Sequence, residues 1–170
     1  MNIIHPIKPV YNQESKILVL GSFPSVKSRE SGFYYGHPQN RFWKVISAIM
    51  GDKVPESIEQ KKDLLIRNHI AVWDVIHSCE IEGSADSSIK NVVVNDISEI
   101  LYKSKIKKIY TNGKKANELY KKYIFPKSRI EAICLPSTSP ANAMWNLDKL
   151  VDAWKVIQTS TRTEHVFLRK

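Results

Sequence analysis

Four short apolar runs punctuate the chain, and each predicts a buried β-strand. They lie at residues 16–20, 70–76, 106–110 and 129–135, and each contains β-branched residues. Turn-forming or polar residues follow each run, which is typical of strands in the interior of a sheet. The hydrophobic pattern therefore predicts four strands.

Between these runs, apolar residues recur at helical spacing. The predicted helices cover residues 41–50, 57–68, 97–102, 114–123 and 142–157. Strands that alternate with helices predict an α/β fold, a three-layer α/β/α arrangement with a central, mostly parallel four-stranded sheet. Residues 1–170 are expected to form a single domain, with an irregular lead-in at 1–15 and a mostly polar loop at 77–94. Residues 159–170 fit either a tail or a short edge strand, and Met144 in the last helix is expected to face the core.

The charge of the chain points towards a polyanionic partner. The net charge is +9, from 26 Lys and Arg against 17 Asp and Glu. A basic domain of this size is a candidate for binding nucleic acid, although a basic surface also serves solubility alone.

Cysteine usage and the length of the apolar runs exclude other classes of protein. Cys79 and Cys134 are too few for a four-ligand metal or iron–sulfur site, so we expect no metal and no cofactor. No apolar run approaches the roughly 18 residues of a membrane-spanning helix, so we expect no membrane partner. These features predict a cytoplasmic protein that acts as a monomer.

A long segment without a regular pattern follows the first predicted strand, from Gly21 to the predicted helix near Asn40. A loop of this length inside a compact domain is usually functional. It also begins at the carboxyl end of a strand, where open α/β sheets place their ligands. We therefore expect the site at this edge of the sheet.

The chain carries three motif blocks at the ends of predicted strands. They are Gly21-Ser22-x-Pro24-Ser25 with Gly32-Phe33-x-x-Gly36-His37-Pro38-x-Asn40-Arg41-Phe42-Trp43, then Asn112-Gly113, then Pro136-Ser137-Thr138-Ser139-Pro140-Ala141-Asn142. Together they resemble the uracil-DNA glycosylase superfamily, closest to its hypoxanthine-DNA glycosylase branch, over residues 15 to 158. The resemblance implies a monofunctional DNA glycosylase of base excision repair, which flips a deaminated base out of double-stranded DNA and hydrolyses its N-glycosidic bond. The expected base is hypoxanthine, the base of deoxyinosine.

Asn40 is the expected catalytic residue, because the resembled branch uses the Asn of this segment for catalysis. An oxocarbenium-like sugar is so electrophilic that an amide which orients a water can suffice without a strong base. The alternative is that Asn40 only caps the following helix.

The base-binding residues that the resemblance implies lie in the first two blocks. They are Gly21, Ser22, Phe23, Tyr35 and Asn112, of which Asn112 is also a catalytic candidate. Tyr35 is the expected stacking floor for the base, with Phe33 and Tyr34 as alternates or core residues. Asn112 is expected to pair with the edge of the base, or else to form a strand-end turn. Phe23 departs from the superfamily, whose other branches carry a polar residue near this position, and the departure argues against ordinary uracil excision.

The remaining candidates are expected to contact DNA. They are Ser25, Lys27, Ser28, Ser137, Thr138, Ser139, Pro140 and Asn142, with the Lys114-Lys115 pair as further phosphate contacts. A rigid Ser/Pro loop with hydroxyl donors suits backbone phosphate. His37 is expected to be a structural hydrogen-bonding residue rather than an acid. Asp74 fits either the wall of the pocket or a hydrogen-bonded position in the core.

Other functions compete with this interpretation. One is a mismatch-specific uracil or thymine glycosylase that acts on G:U and G:T pairs, and another is a catalytically silent nucleic-acid-binding module. A nucleotide-binding α/β enzyme is disfavoured, because the chain has neither a Gly-x-Gly-x-x-Gly motif nor a Walker loop.

Overall fold

The computed structural model describes residues 2–161, and two sheets organise them. The strands in chain order are β1 (Asn2–Ile4), β2 (Ile17–Gly21), β3 (Ile70–Asp74), β4 (Ile76–Glu80), β5 (Lys90–Val94), β6 (Lys108–Asn112) and β7 (Ala132–Leu135). The larger sheet has the order β3-β2-β6-β7, and all of its neighbouring strands are parallel. The predicted four-stranded parallel sheet is confirmed.

Strand β2 lies at the centre of the fold and is buried along its whole length. Ile17 and Val19 belong to the hydrophobic cluster on one face of the sheet, while Leu18 and Leu20 belong to the cluster on the other face. Successive side chains of a strand point to opposite faces, so an uninterrupted apolar run is what a sheet covered on both faces requires.

Helices cover both faces, which confirms the predicted three layers. They are α1 (Val26–Ser31), α2 (Phe42–Met50), α3 (Ile58–Arg67), α4 (Ser98–Tyr102), α5 (Lys114–Leu119), α6 (Phe125–Ser128), α7 (Leu147–Trp154) and α8 (Val156–Thr161). Helices α2, α3, α7 and α8 pack on one face, and α4 and α5 pack on the other together with a π-helical turn at Tyr120–Ile124.

The smaller sheet was not predicted. Strands β1, β4 and β5 form it in the antiparallel order β1-β4-β5, where the sequence had predicted an irregular lead-in and a polar loop. The predicted strand at 70–76 in fact divides at Val75, whose backbone N–H donates to Gly21 O at 2.8 Å. The chain leaves the parallel sheet there and enters the antiparallel one.

The end of the chain also differs from the prediction. Asn146 caps α7 by accepting a hydrogen bond from Lys149 N at 2.9 Å, so the helix begins after Met144 rather than before it. Met144 is 85% exposed, and its predicted burial is wrong. Residues 159–161 belong to α8, and the possible edge strand near residues 164–168 lies outside the described residues. Within residues 2–161, no helix is long and apolar enough to cross a membrane.

Candidate active site

A cavity of about 300 Å³ opens at the carboxyl ends of β2, β3 and β6. Strand β2 leads to β3 on one side and pairs with β6 on the other, so the cavity lies at the point where the strand order reverses, the usual ligand site of an open α/β sheet. The segment after β2, the ends of β3 and β6, and the loop at residues 137–141 form its walls. The sheet therefore brings distant segments of the sequence to one site.

Most of the residues that the sequence predicted line this cavity. They are Gly21, Ser22, Phe23, Ser25, Ser28, Tyr35, Asn40, Asn112, Ser137, Thr138, Ser139 and Pro140. Lys27 and Asn142 do not. Lys27 is exposed, with its Nζ 4.0 Å from Glu30, and Asn142 donates from Nδ2 to Ser137 O at 3.0 Å inside the loop.

Three side chains form a directional hydrogen-bond network at the wall of the cavity. Asn112 Nδ2 donates to Thr138 Oγ1 at 3.0 Å, and Thr138 Oγ1 donates to Asn40 Oδ1 at 2.9 Å. Thr138 N in turn donates to Asn112 Oδ1 at 3.0 Å. Because Thr138 is fully buried, both amides are held against a rigid partner.

The same contacts fix which end of the Asn40 amide faces the cavity. Asn40 Oδ1 also accepts from Phe42 N at 2.9 Å, and a backbone N–H can only be matched by the oxygen of the amide. Both acceptor sites of the oxygen are therefore used, and Nδ2 has no hydrogen bond among the described residues. The capping interpretation and the catalytic one are compatible, since the oxygen serves the helix start and the NH₂ group remains available.

Burial corrects two of the predicted DNA contacts. Thr138 is fully buried and Ser28 is 2% exposed, so neither presents a surface to a backbone phosphate in this conformation. Ser28 instead accepts from Gly36 N at 2.9 Å and from the hydroxyl of Ser25 at 3.1 Å, while Ser25 caps α1. Both residues hold the loops that shape the cavity.

Arg41 holds the loop after β7, a role that the sequence did not reveal. Its guanidinium donates to the carbonyl oxygens of Ser139 at 2.8 Å and Asn142 at 3.2 Å, and also to those of Thr138 and Trp145. The only sequence signal was its place directly after Asn40 in the motif block. At Gly113 (φ 98°), a Cβ would lie 3.1 Å from Ser137 Cβ, so glycine lets β6 end close against this loop.

The floor of the cavity is built from Gly21, Asp74 and Tyr35. A Cβ on Gly21 would lie 2.5 Å from Asp74 Oδ1 and 3.2 Å from the Tyr35 hydroxyl, so only glycine allows both polar atoms to occupy this place. Asp74 accepts from buried His5 Nε2 at 2.8 Å. The structure combines the two positions predicted for Asp74, since the carboxylate is buried and hydrogen-bonded and also lines the pocket. His5, delivered by the unpredicted strand β1, was missed.

Tyr35 is placed differently from a simple stacking floor. Its ring stacks on Phe42 with a centroid distance of 4.0 Å, so one face of the ring is already covered. Its hydroxyl is buried without a hydrogen-bond partner among the described residues. Burial raises the pKa of this hydroxyl well above its usual value, and the nearby Asp74 carboxylate raises it further. Phe33 and Tyr34 are core residues.

The segment between β4 and β5 contributes a second carboxylate that the sequence did not predict. Asp86 accepts from the Ser22 hydroxyl at 3.0 Å at the edge of the cavity. Burial raises the pKa of Asp86, and the Ser22 hydrogen bond partly opposes that rise. No periodic or motif signal marked this residue. His37 also lines the cavity, where its Nδ1 accepts from Gln39 N at 3.1 Å.

The site shows no ready metal cluster. Among residues 2–161, no group of three or more His, Cys, Asp or Glu side chains is arranged to hold a metal ion. That the protein needs no metal remains a prediction.

Comparison with known proteins agrees with the motif blocks. A family model of the uracil DNA glycosylase superfamily matches residues 8–158. A hypoxanthine DNA glycosylase from Methanosarcina acetivorans is 34% identical over 142 residues, which are 82% of this chain and 89% of that protein. Another, from Methanosarcina barkeri, is 35% identical over 112 residues, which are 65% of this chain and 71% of that protein.

Comparison of the structure with solved structures identifies a similar protein. A solution NMR structure from Methanosarcina acetivorans, described as a candidate uracil DNA glycosylase, matches with a TM-score of 0.80 and 31% identity, covering 95% of this chain and 100% of that one. The resemblance read from the motif blocks is thereby confirmed. The chain belongs to the uracil DNA glycosylase superfamily.

Proposed function

We propose that this protein is a monofunctional DNA glycosylase that removes hypoxanthine from double-stranded DNA. The observation that carries the proposal is the orientation of the Asn40 amide. Phe42 N and Thr138 Oγ1 both donate to its oxygen, so its NH₂ group is the end that remains available at the cavity. Two relatives that are 34% and 35% identical to this chain over the aligned residues bear the name hypoxanthine DNA glycosylase, which supports the choice of base.

Hydrolysis of the N-glycosidic bond requires mainly that the protein position a water molecule. Cleavage of the N-glycosidic bond leaves an oxocarbenium-like sugar, which water attacks readily. The Asn40 NH₂ group donates a hydrogen bond to one lone pair of that water and leaves the other lone pair to attack the sugar carbon. The base keeps the electron pair of the broken C–N bond, and the proton that the water loses passes to the base or to solvent. Holding the water in this way is a proximity effect, which needs no strong base.

The leaving group explains why a purine suits this site better than uracil. A purine leaves more easily when its N7 is protonated or hydrogen-bonded, whereas uracil leaves as an anion that needs strong, preorganised donors. Phe23 lines the cavity where other branches carry a polar residue, and it makes the site a poor one for an anion. We therefore expect deoxyinosine to be processed much faster than deoxyuridine.

The loop after β7 is the proposed DNA-inserting element. Arg41 holds its carbonyls from within, and Met144 stands 85% exposed between the loop and α7. An exposed apolar side chain on a rigid loop is suited to fill the gap that a flipped base leaves in the stack. Lys114 and Lys115 follow β6 beside this loop and supply positive charge for the backbone.

Incubation with a panel of duplexes tests the proposal. Each duplex carries deoxyinosine, deoxyuridine opposite guanine, thymine opposite guanine, or no lesion, and alkali then reveals abasic sites as strand breaks. We expect breaks at deoxyinosine, at a rate at least about tenfold above that at deoxyuridine. Faster cleavage at G:U or G:T pairs would favour a mismatch-specific glycosylase, and binding without cleavage would favour a silent binding module.

The remaining parts of the proposal concern the working form of the enzyme. We expect it to act as a cytoplasmic monomer without a metal or other cofactor. Activity should persist in EDTA. Size-exclusion chromatography with light scattering should give the mass of one chain for the free protein, and the mass of one chain plus one duplex for the complex. Loss of activity in EDTA that one added metal restores would contradict the metal-free mechanism.

A further inference from the structure

The floor of the cavity holds two polar atoms that the Asn40 network does not use. They are Asp74 Oδ1 and the Tyr35 hydroxyl, and both lie within 3.2 Å of the point where a Cβ on Gly21 would stand. Asp74 Oδ1 makes no hydrogen bond among the described residues, and the Tyr35 hydroxyl has only the Asn112 amide beside it, with no acceptor for its proton. Two adjacent polar atoms with unused hydrogen-bonding capacity at the bottom of a cavity are a candidate reader of a ligand's edge.

The hydrogen bonds of His5 fix Asp74 as an acceptor. His5 Nδ1 accepts from Ile7 N at 3.2 Å, so the ring proton is on Nε2, which donates to Asp74 Oδ2 at 2.8 Å. The carboxylate is thus held by one donor at one oxygen, and Oδ1 presents lone pairs to the cavity. The side chains of both residues are almost fully buried, at 2% and 5% exposure, so bulk water does not compete for this bond.

Tyr35 is the matching donor. The raised pKa of its hydroxyl keeps the proton on the oxygen at neutral pH. Its backbone has φ 53°, a left-handed conformation that is rare and strained for an aromatic residue. Strain and an unpaired buried hydroxyl at one residue both disfavour the free protein, which is expected where a residue is kept for a ligand.

We propose that Asp74 and Tyr35 read the edge of the flipped base, with Asp74 Oδ1 accepting the N1–H of hypoxanthine and the Tyr35 hydroxyl donating to its O6. This assignment of Asp74 and Tyr35 as the residues that determine base specificity rests on the proposed function. Adenine has the reverse order, with an acceptor at N1 and a donor at N6, so it meets two mismatched contacts.

With Asp74 and Tyr35 as the contacts to the base edge, Asn112 has a different role from the one that the sequence predicted. Thr138 contacts both ends of the Asn112 amide and fixes its orientation, which leaves Asn112 one N–H and one acceptor site on Oδ1. The remaining Asn112 N–H lies beside the Tyr35 oxygen, where it lowers the pKa of the hydroxyl slightly and leaves the hydroxyl proton free to be donated. We assign the acceptor for N1–H to Asp74, because a carboxylate oxygen is a stronger acceptor than an amide oxygen.

The test compares deoxyinosine with 2′-deoxynebularine, whose purine lacks both O6 and the N1–H. In Asp74→Asn, the His5 Nε2–H holds the amide oxygen and turns the NH₂ group towards the base. Single-turnover excision of hypoxanthine should then fall about 100-fold, while excision of purine from deoxynebularine should hold or rise, because its N1 accepts the new donor.

Tyr35→Phe provides an independent variant that keeps the ring on Phe42. It should lower excision of hypoxanthine about tenfold and leave the deoxynebularine rate within about threefold. Asp96→Asn and Tyr102→Phe are matched controls, because both residues lie outside the cavity, and they should leave the ratio of the two rates unchanged.

Equal effects of Asp74→Asn and Tyr35→Phe on the two substrates would overturn the reading while leaving the proposed function intact. If Asp74→Asn does not fold, the ratio in Tyr35→Phe decides alone. A wild-type protein that releases neither base would overturn the proposed function, and the reading with it.

Discussion

Thr138 Oγ1 donates a hydrogen bond of 2.9 Å to Oδ1 of Asn40, and these two residues stand 98 positions apart in the sequence. The same hydroxyl accepts from Asn112 Nδ2 at 3.0 Å. One buried threonine therefore sets the orientation of both amides at the site. Its role is to position Asn40, whose free NH₂ group then faces the reacting centre.

The first prediction concerns this positioning residue. Thr138→Val keeps the shape of the side chain but removes the hydroxyl, so Asn40 and Asn112 each lose a partner. We expect single-turnover excision of hypoxanthine to fall about 10–100-fold, because small misplacements of reacting groups are costly, while duplex affinity stays within about threefold. Thr138→Ser should restore the rate to within about threefold of wild type. A valine variant as fast as wild type would show that the network does not position the amide.

The second prediction concerns stability and compares two adjacent tyrosines. The Tyr35 hydroxyl is buried without a partner, whereas the Tyr34 hydroxyl donates to Lys8 O at 2.8 Å. Tyr35→Phe should raise stability by about 1 kcal/mol, or about 2–4 °C in Tm, and Tyr34→Phe should lower it by a similar amount. Calorimetry of the free proteins measures both changes. Destabilisation by Tyr35→Phe would mean that its hydroxyl is satisfied in solution.

The third prediction concerns Arg41. Lysine in its place cannot reach the several carbonyl oxygens that the guanidinium binds, so the loop after β7 should loosen. We expect Arg41→Lys to weaken duplex affinity and slow excision, each by about tenfold. Arg67→Lys is the matched control, since Arg67 is exposed and pairs only with Asp52 and Asp63 among the described residues. If Arg41→Lys and Arg67→Lys have equal effects on duplex affinity and on the rate of excision, the loop after β7 has no role in the mechanism.

The fourth prediction concerns salt. Phosphate contacts release counterions, so the logarithm of the binding constant should fall linearly with the logarithm of salt concentration. Replacing both Lys114 and Lys115 with alanine should make the slope shallower by about 2. The pair Lys107 and Lys108 lies at the opposite end of β6 and should leave the slope unchanged when replaced in the same way. A flat plot for the wild type would remove DNA as the main partner.

The parallel sheet and the place of the site followed from local sequence patterns. Continuous apolar runs marked the buried strands, and the carboxyl ends of parallel strands meet at one edge, which brought Asn40, Asn112 and residues 137–141 together. The smaller sheet did not follow, because its strands are short and half-exposed. In that segment the run Val92-Val93-Val94 was the one available signal.

The contacts inside the site depended on tertiary structure. The bond between His5 and Asp74 joins residues 69 positions apart, and the Arg41 contacts span about 100 positions, so no local pattern marks either. Thr138 and Ser28 looked like surface hydroxyls in a Ser/Pro-rich context, yet packing buries both. Composition indicates what such residues can do, and only the fold decides which partners they have.

The most direct test of the central claim is the release of free hypoxanthine from a deoxyinosine duplex by the wild type and by Asn40→Ala, measured in single turnover by chromatography, with duplex affinity measured in parallel. The alanine variant loses the NH₂ group that holds the attacking water. We predict that the wild type releases hypoxanthine and that Asn40→Ala releases none above background, with affinity changed by less than about threefold. Release by Asn40→Ala at a rate near that of the wild type would contradict the account.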